Sequence, residues 1–312
     1  MPSKKPPLLL TIRFSVADST HRCGTVAIVG RPNAGKSTLL NHLIGQKISI
    51  TSRKPQTTRH RLLGIVTKPD AQYLFLDTPG WQTLHRSALN RAMGRSITSA
   101  LEEADVILWV MDGLTFNAQE QRLQRLLPTQ KPVLIAINKI DSLADKRQLL
   151  PHLARLSAQH SFTALVPVSA KQGTGLDDLL HAIKLELPIG DAVFPEDEMT
   201  DRSERFLAAE TIREKLMRNL GEEIPYATHV EILQFIVEGG MRRIEAEIIV
   251  AKDNHKAMVI GKSGEKLKSI GTAARVDMEK LFGGKVYLGL WVKVKPDWFD
   301  NMSLLRTYGY GS

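Results

Sequence analysis

An eight-residue segment near the N-terminus constrains the fold of this chain more than any other feature. Residues 30–37 read Gly-Arg-Pro-Asn-Ala-Gly-Lys-Ser and match the pattern G-x-x-x-x-G-K-[ST]. An apolar segment at 25–29 precedes it, and a helical pattern at 37–44 follows it. Backbone N–H groups of such a loop, together with the N-terminus of the next helix, bind phosphate groups. The segment therefore predicts a phosphate-binding loop between a strand and a helix.

Strand-like and helix-like segments alternate through the first 190 residues. The strand candidates are short and continuously apolar, as expected for strands that are buried on both faces. This alternation predicts an α/β domain with a mostly parallel sheet and helices on both of its faces. The predicted strands are 25–29, 73–76, 106–111, 133–137 and 165–168, and the predicted helices are 37–44, 84–103, 118–127, 146–160 and 176–187.

The pattern changes after residue 190, where a turn-rich and acidic segment indicates a linker. Beyond it the predicted order is helix, strand, strand, helix, helix, strand, which indicates a separate α+β domain. The predicted elements are 202–219, 229–237, 242–251, 255–260, 265–282 and 286–294. The predicted division is a tail at 1–22, an α/β domain at 23–190, a linker at 191–201, an α+β domain at 202–301 and a C-terminal tail at 302–312.

Charge is distributed unevenly along the chain. The net charge is +9, and residues 1–194 contain 24 Lys and Arg against 14 Asp and Glu. No acidic residue occurs between Asp18 and Asp70. This favours an anionic partner for the first domain. The single cysteine, Cys23, excludes an internal disulfide, and the apolar segments are too short to span a bilayer, so the composition indicates a cytoplasmic protein.

Three further motifs follow the phosphate-binding loop, each after a predicted strand. In the loop, Lys36 can reach the β- and γ-phosphates and Ser37 can bind Mg²⁺. Asp77 begins the sequence Asp-Thr-Pro-Gly and is a second candidate Mg²⁺ ligand. Asp141 closes the sequence Asn-Lys-Ile-Asp, and its carboxylate can accept two hydrogen bonds from guanine, whereas adenine offers no such pair of donors.

Together these motifs predict a site for GTP and GDP. The fourth motif, Ser-Ala-Lys at 169–171, suits a backbone contact to the guanine carbonyl. The predicted nucleotide-binding residues are Gly30, Arg31, Pro32, Asn33, Ala34, Gly35, Lys36, Ser37, Thr38, Asp77, Thr78, Pro79, Gly80, Asn138, Lys139, Asp141, Ser169, Ala170 and Lys171.

The four motifs in this order resemble the translation-factor-like branch of the small GTPases. The resemblance implies that residues 56–60 form the first switch segment, with Thr58 as the Mg²⁺ and γ-phosphate contact and Thr57 as the other candidate. Trp81 follows the Asp-x-x-Gly motif where many GTPases have a water-orienting glutamine, so slow intrinsic turnover is expected. The predicted catalytic residues are Lys36, Thr58, Gly80 and Asn33, and the predicted metal ligands are Ser37, Thr58 and Asp77.

In related GTPases with an apolar residue after this motif, an asparagine in the phosphate-binding loop helps to bind K⁺. The resemblance therefore implies K⁺ as an activating ion, with Asn33 as its ligand.

The second domain has the element order of a prokaryotic-type KH domain, with Gly-Lys-Ser-Gly at 261–264 between its two central helices. In KH domains a G-x-x-G loop clamps the backbone of about four nucleotides of single-stranded nucleic acid. Lysines around this loop supply positive charge, whereas His255 and Trp291 suit base stacking or ordinary packing equally well. The predicted RNA-binding residues are Lys256, Ile260, Gly261, Lys262, Ser263, Gly264, Lys266 and Lys268.

Residues 24–301 as a whole resemble the Era family of bacterial GTPases, most closely in segments 30–41, 45–54, 56–61 and 259–268. The resemblance implies a role in maturation of the small ribosomal subunit. It also implies recognition of the single-stranded 3′ end of the small-subunit RNA, peripheral association with the inner membrane, and a monomer. Residues 1–22 extend beyond the resemblance. The alternative is a GTPase whose second domain binds a protein or a membrane rather than RNA.

Overall fold

The computed structural model describes residues 21–81, 87–159, 161–221 and 224–310. Most of the predicted N-terminal tail, residues 1–20, lies outside them. Within them, the first strand already begins at Arg22, which pairs with Ala71, so the first domain starts one residue before its predicted boundary.

The first domain is built around one sheet with the strand order β2-β3-β1-β4-β5-β6. All neighbouring strands are parallel except β2 and β3, which confirms the mostly parallel sheet. The strands are β1 (Arg22–Val29), β2 (Leu62–Lys68), β3 (Ala71–Asp77), β4 (Val106–Asp112), β5 (Val133–Asn138) and β6 (Ala164–Pro167). The helices are α1 (Lys36–Ile44), α2 (Ala88–Glu103), α3 (Ala118–Gln124), α4 (Leu149–Gln159) and α5 (Leu176–Glu186).

Residues 106–111 of the central strand β4 are all apolar, because both faces of the strand are buried. Val106, Leu108 and Val110 belong to the core on one face of the sheet. Ile107 and Trp109 belong to the core on the other face. Successive side chains of a strand point to opposite faces, so in a strand covered on both sides every side chain faces an apolar core.

Strand β2 was not predicted, and its sequence explains the omission. Gly64 interrupts an apolar segment that is otherwise of strand length. A Cβ atom at Gly64 would lie 2.7 Å from Leu40 Cδ1 and 2.7 Å from Ile44 Cδ1, so this position is glycine because helix α1 packs directly on the strand. A glycine inside a strand usually marks such a close approach.

The second domain has a three-stranded sheet, with β7 antiparallel to β8 and β8 parallel to β9. Helices α6 and α8 pack on one face of this sheet, where Ile212, Ile248 and Ile270 are fully buried in a common core. This arrangement confirms the predicted KH-type order. Its elements are α6 (Glu204–Asn219), β7 (Thr228–Glu238), β8 (Met241–Val250), α7 (Asp253–Ile260), α8 (Glu265–Phe282) and β9 (Val286–Val294).

The predicted linker at 191–201 is held against the first domain. Gln72 Oε1 accepts a hydrogen bond from the backbone N–H of Phe194 at 3.0 Å. The backbone N–H of Ile65 donates to Met199 O at 2.9 Å, and Thr200 Oγ1 donates to Leu63 O at 2.6 Å. The segment thus runs along β2 and fixes the point at which the second domain begins.

The prediction of a C-terminal tail at 302–312 is wrong for its described part. Helix α9 (Met302–Thr307) and the residues after it pack into a core that joins the two domains. Leu305 is fully buried there and Tyr310 is almost so, and both belong to one cluster with Leu89 of α2 and Trp298. The segment is too short for a clear helical period, so its apolar residues alone did not reveal the helix.

Truncating Leu305 tests whether this C-terminal segment is part of the folded core. Leu305→Ala should lower the free energy of unfolding by about 2–5 kcal/mol, because it leaves a cavity at a fully buried site. Urea unfolding monitored by tryptophan fluorescence measures this change. Met302→Ala on the same helix is the control and should change it by less than about 0.5 kcal/mol, since Met302 is 37% exposed. Equal effects of the two substitutions would show that the segment is not packed as described.

Candidate functional site

The loop at residues 30–37 has the backbone conformation that wrapping a phosphate requires. Gly30, Asn33 and Gly35 have positive φ angles of 153°, 63° and 99°. At Gly35 a Cβ atom would lie 2.2 Å from Asn138 Nδ2, so no other residue fits there. Helix α1 begins at Lys36, immediately after this turn, and its N-terminal N–H groups face the loop, as in other anion-binding helix ends.

Lys36 is buried inside the loop. Its Nζ donates to the backbone oxygens of Gly30 and Arg31, each at 3.0 Å, which holds the ammonium over the concave side of the loop. Burial lowers the pKa of Lys36 to about 8, despite the opposing effect of the Asp77 carboxylate. An anion bound here would raise that pKa again, because it favours the charged amine.

The three predicted metal ligands lie in direct contact. Ser37 Oγ is 2.9 Å from Thr58 Oγ1 and donates to Asp77 Oδ2 at 2.9 Å. Ser49, which was not predicted, also donates to Asp77 Oδ2, at 2.8 Å. Asp77 is fully buried, and its other oxygen, Oδ1, has no hydrogen-bond partner among the described residues. Burial raises the pKa of Asp77. A set of hydroxyl and carboxylate oxygens in which one carboxylate oxygen has no hydrogen bond suits Mg²⁺.

The Asp-Thr-Pro-Gly segment lies against the phosphate-binding loop. A Cβ atom at Gly80 would lie 2.8 Å from Pro32 Cα, so glycine is required by this contact. The backbone N–H of Trp81 donates to Gly30 O at 3.1 Å, and the Trp81 side chain packs against the apolar core below the sheet. The Trp81 side chain is therefore engaged in packing against the core. Gln82, the next polar residue that could orient a water molecule, lies outside the described residues.

Asn138 joins three of the four predicted motifs. Its Nδ2 donates to Ala34 O at 2.8 Å, in the phosphate-binding loop. Its Oδ1 accepts from the backbone N–H of Ala170 at 2.9 Å and from that of Lys139 at 2.8 Å. Asn138 is 1% exposed, so its amide replaces the hydrogen bonds that water would otherwise supply to these loops.

The predicted guanine-binding residues meet at the carboxyl ends of β5 and β6. Asp141 Oδ1 accepts from Ser169 Oγ at 2.6 Å, which orients the carboxylate. Lys139 lies in the left-handed region, with φ at 64°, and pairs with Asp112 at 2.6 Å. Lys171 is exposed at the rim. The four motifs thus converge on one edge of the sheet, although they are far apart in sequence.

A buried acid that sequence reasoning missed supports the phosphate-binding loop. Glu120, on α3, is fully buried and pairs with Arg31 Nε at 2.5 Å. It also accepts from Trp109 Nε1 at 3.1 Å. Burial raises the pKa of Glu120, while Arg31 opposes that shift. Nothing in the spacing of these residues along the chain indicates the contact.

The segment at 51–61, which contains the predicted switch, rests on helix α6 of the second domain. Glu214 Oε1 accepts from the backbone N–H of Thr51 at 2.9 Å, and Arg218 Nη2 donates to Thr51 O at 3.0 Å. Arg213 Nη2 donates to Thr57 O at 2.5 Å. We call this interface, formed by residues 51–61 and α6, the switch contact.

Arg59 extends the switch contact beyond α6, to the start of β7. Its guanidinium donates to Thr228 O at 2.7 Å and to Tyr226 O at 3.0 Å, and the residue is 2% exposed. His60 next to it stacks on Tyr310, with 4.2 Å between ring centroids. The side chain of Thr58, between these anchored residues, faces the metal-ligand cluster instead.

The Gly-Lys-Ser-Gly loop projects from the second domain between α7 and α8. Gly261 and Gly264 have φ angles of 73° and 79°, and a Cβ atom at Gly261 would lie 2.7 Å from Lys266 Cβ. Ser263 is held in the left-handed region with φ at 51°, a conformation that costs energy for a residue with a side chain. Within this tight loop the N–H groups of Gly261 and Gly264 donate to the carbonyl oxygens of Ala257 and Gly261.

The predicted RNA-binding side chains differ in exposure. Lys262, Lys266 and Lys268 are exposed, whereas Lys256 and Ile260 are half-buried at the base of the loop. Trp291 on β9 is 49% exposed. The loop therefore offers a basic, accessible surface with an apolar base, as single-strand binding requires.

These features define a P-loop GTPase domain followed by a KH domain. Residues 25–139 match the family described as 50S ribosome-binding GTPase, and residues 223–299 match the KH domain family. The chain is 53% identical to a GTPase Era from Nitrosomonas eutropha over 292 residues, which cover 94% of this chain and 99% of that protein. It is 50% identical to a GTPase Era from Chromobacterium violaceum, with the same two coverages. The chain belongs to the Era family of GTPases, which hydrolyse GTP.

Solved structures of Era are similar over almost the whole chain. An Era from Aquifex aeolicus bound to GDP and AlF₄⁻ is 42% identical, with a TM-score of 0.90 over 93% of this chain and 100% of that one. An Era in complex with MgGDPNP and nucleotides 1506–1542 of 16S ribosomal RNA is also 42% identical, with a TM-score of 0.89 over 94% and 100% of the two chains. Within the described ranges, no helix of this chain is both long and apolar enough to cross a bilayer.

The low pKa of Lys36 predicts a pH-dependent affinity for GDP. Phosphate binds the charged amine, whose pKa is about 8 when only protein groups surround it. The affinity should therefore be at its full value below that pKa and should fall about tenfold between about pH 7 and pH 9. Fluorescence titration with a labelled GDP measures this. Lys36→Arg should bind more weakly at pH 7 and without this slope, because its guanidinium stays charged. A similar slope in both proteins would assign the effect to another group.

Proposed function

We propose that this chain is a GTP-switched factor in small ribosomal subunit assembly that binds the single-stranded 3′ end of the small-subunit RNA through its KH domain. The switch contact carries this proposal, since it joins the segment next to the nucleotide site to the first helix of the KH domain. The similarity to an Era in complex with MgGDPNP and 16S ribosomal RNA nucleotides supports the choice of partner.

The proposed switch acts through the switch contact, most directly at one of its peptide bonds. Thr58 Oγ1 lies at the metal-ligand cluster, and the carbonyl that Arg213 holds belongs to the peptide bond between Thr57 and Thr58. A γ-phosphate that draws Thr58 toward it must move this carbonyl relative to α6, or carry α6 along with it. Either movement changes the position of the KH domain, because α6 packs on its sheet.

In the proposed chemistry, Lys36 binds the β- and γ-phosphates and the N–H of Gly80 binds the γ-phosphate. Mg²⁺, held by Ser37, Thr58 and Asp77, would neutralise charge on the transferring phosphoryl group. Asp141 selects guanine, and Asn138 holds the surrounding loops in place. Since Trp81 packs into the core, the described residues offer no side chain right after Gly80 to orient the attacking water. This supports slow intrinsic turnover.

K⁺ is proposed as the activating ion at Asn33. The Asn33 side chain is exposed at the loop and donates to Arg53 O at 2.7 Å, so it links the phosphate-binding loop to the segment before the switch. GTP hydrolysis should be faster in KCl than in NaCl at equal ionic strength, measured by phosphate release. Asn33→Ala should remove most of this difference while GDP still binds. Equal rates in the two salts for the unaltered protein would exclude the K⁺ site.

RNA binding is tested by fluorescence anisotropy with a single-stranded RNA of the small-subunit 3′ end at one stated salt concentration. Lys262→Asp with Ser263→Asp should weaken binding at least tenfold, because both changes place negative charge beside the RNA backbone. Lys285→Asp, at an exposed lysine between α8 and β9, is the control for the reversal of a lysine's charge. No binding by the unaltered protein, in either GDPNP or GDP, would favour a protein or membrane partner for the second domain.

The proposed coupling is tested at Glu214. Glu214→Gln keeps the shape of the side chain but weakens its bond to the N–H of Thr51, so RNA affinity should differ less between the GDPNP and GDP states than in the unaltered protein. The same anisotropy titrations in both states give the ratio of the two RNA affinities. Glu279→Gln, which alters an ion pair with Arg275 on α8, should leave the ratio unchanged. A ratio unaffected by Glu214→Gln would show that the switch contact does not transmit the nucleotide state.

Three further properties are proposed: a cytoplasmic location, which the composition also indicates, peripheral contact with the inner membrane, and a monomeric state. The net charge of +9 is compatible with attraction to anionic lipid as well as to RNA. Cell fractionation distinguishes the first two, and sedimentation tests the third.

A further inference from the structure

A cavity of about 660 Å³ lies where the switch contact, the start of the KH domain and the C-terminal segment meet. It is lined by residues 59–61, by α6, by the first part of β7 and by residues 307–310. No residue of the phosphate-binding loop at 30–37 lines it. The cavity is therefore separate from the GTP site, although the switch segment borders both.

The lining of this cavity is positively charged. Its two histidines are neutral at neutral pH, because burial lowers the pKa of His60 to about 4 and lowers that of His229 well below its ordinary value. The lining then has more arginines than acids, although one of the arginines, Arg61, pairs with Glu103 outside the lining. The arginines are Arg59, Arg61, Arg202, Arg205 and Arg213, and the acids are Asp201, Glu210 and Glu231.

Arg213 is the best-defined donor in this lining. Its side chain is 1% exposed, and its Nε and Nη2 donate to Glu210 at 2.7 and 2.5 Å. Its Nη1 has no hydrogen-bond partner among the described residues. A buried donor of a charged group without an acceptor is destabilising, so this nitrogen favours a ligand that accepts a hydrogen bond.

We propose that this cavity binds a small phosphate-bearing anion, with Arg213 Nη1 donating to a phosphate oxygen. Guanidinium groups match the geometry of phosphate oxygens and remain charged when buried. The volume suits a ligand larger than inorganic phosphate, since small-molecule sites usually enclose about 300–1,000 Å³. A ligand here touches the switch segment, α6 and the C-terminal segment together, and it stabilises their present arrangement.

The test is calorimetric titration of pyrophosphate into the full chain saturated with GDP. The nucleotide occupies the phosphate-binding loop, free Mg²⁺ is held constant, and chloride keeps the ionic strength fixed. One saturable site per chain is expected. Arg213→Gln should weaken it by about tenfold or more, as loss of a charge-assisted hydrogen bond does. Arg205→Gln, at an exposed position of the lining, should weaken pyrophosphate binding several-fold. This second variant tests the site even if the buried Arg213 variant folds poorly.

Arg218→Gln is the matched control. Arg218 lies on the same helix and also contacts the switch segment, but it does not line the cavity. Its substitution should leave pyrophosphate affinity unchanged. No saturable binding to the GDP-loaded protein, or equal losses in the Arg213 and Arg218 variants, would overturn the proposal. Displacement of pyrophosphate by single-stranded RNA in the unaltered protein, lost in Arg213→Gln, would assign the site to an RNA phosphate and overturn the small-ligand proposal.

Discussion

A buried carboxylate on the first helix of the KH domain organises the contact between the two halves of the molecule. Glu214 is fully buried, and burial alone would raise its pKa, but Lys47 at 2.5 Å and Arg218 at 2.8 Å lower it below the ordinary value. The same carboxylate accepts from the backbone of Thr51. A buried carboxylate without its partners is an uncompensated charge, which is far more costly than the pairing is stabilising. The charge therefore specifies where the switch segment lies.

The nucleotide site depends on this placement. Thr58 contacts Ser37, and the residues on either side of it are anchored, Thr57 through its carbonyl to Arg213 and Arg59 through its guanidinium to the KH backbone. In many switch proteins such a segment orders around the nucleotide alone. Here the second domain supplies several of its hydrogen bonds, so the first domain by itself lacks groups that help to hold the predicted magnesium ligand in position.

The sequence predicted the fold and the nucleotide motifs well because their information is local. A glycine at a positive φ, such as Gly35, can be predicted from the few residues around it. The same holds for a strand that is buried on both faces, such as β4. The contacts that join the domains are not local. Glu214 and Thr51 are 163 positions apart, and an acid on a helix normally indicates only a solvated face. For the same reason the sequence did not indicate the contact of Glu120 with Arg31. Nor did it indicate the C-terminal helix, whose apolar residues pack against both α2 and the second domain.

Thermodynamic reciprocity sets a further condition on this arrangement. If GTP favours one position of the switch segment and RNA favours the matching position of α6, then RNA must change the affinity for GTP by the same factor by which GTP changes the affinity for RNA. Any ligand of the arginine-lined cavity enters the same balance, because that cavity is bordered by Arg59 and by Arg213, which are both part of the switch contact. Nucleotide, RNA and anion would then be three ligands of one conformational equilibrium, each acting only as far as it distinguishes the two positions of α6.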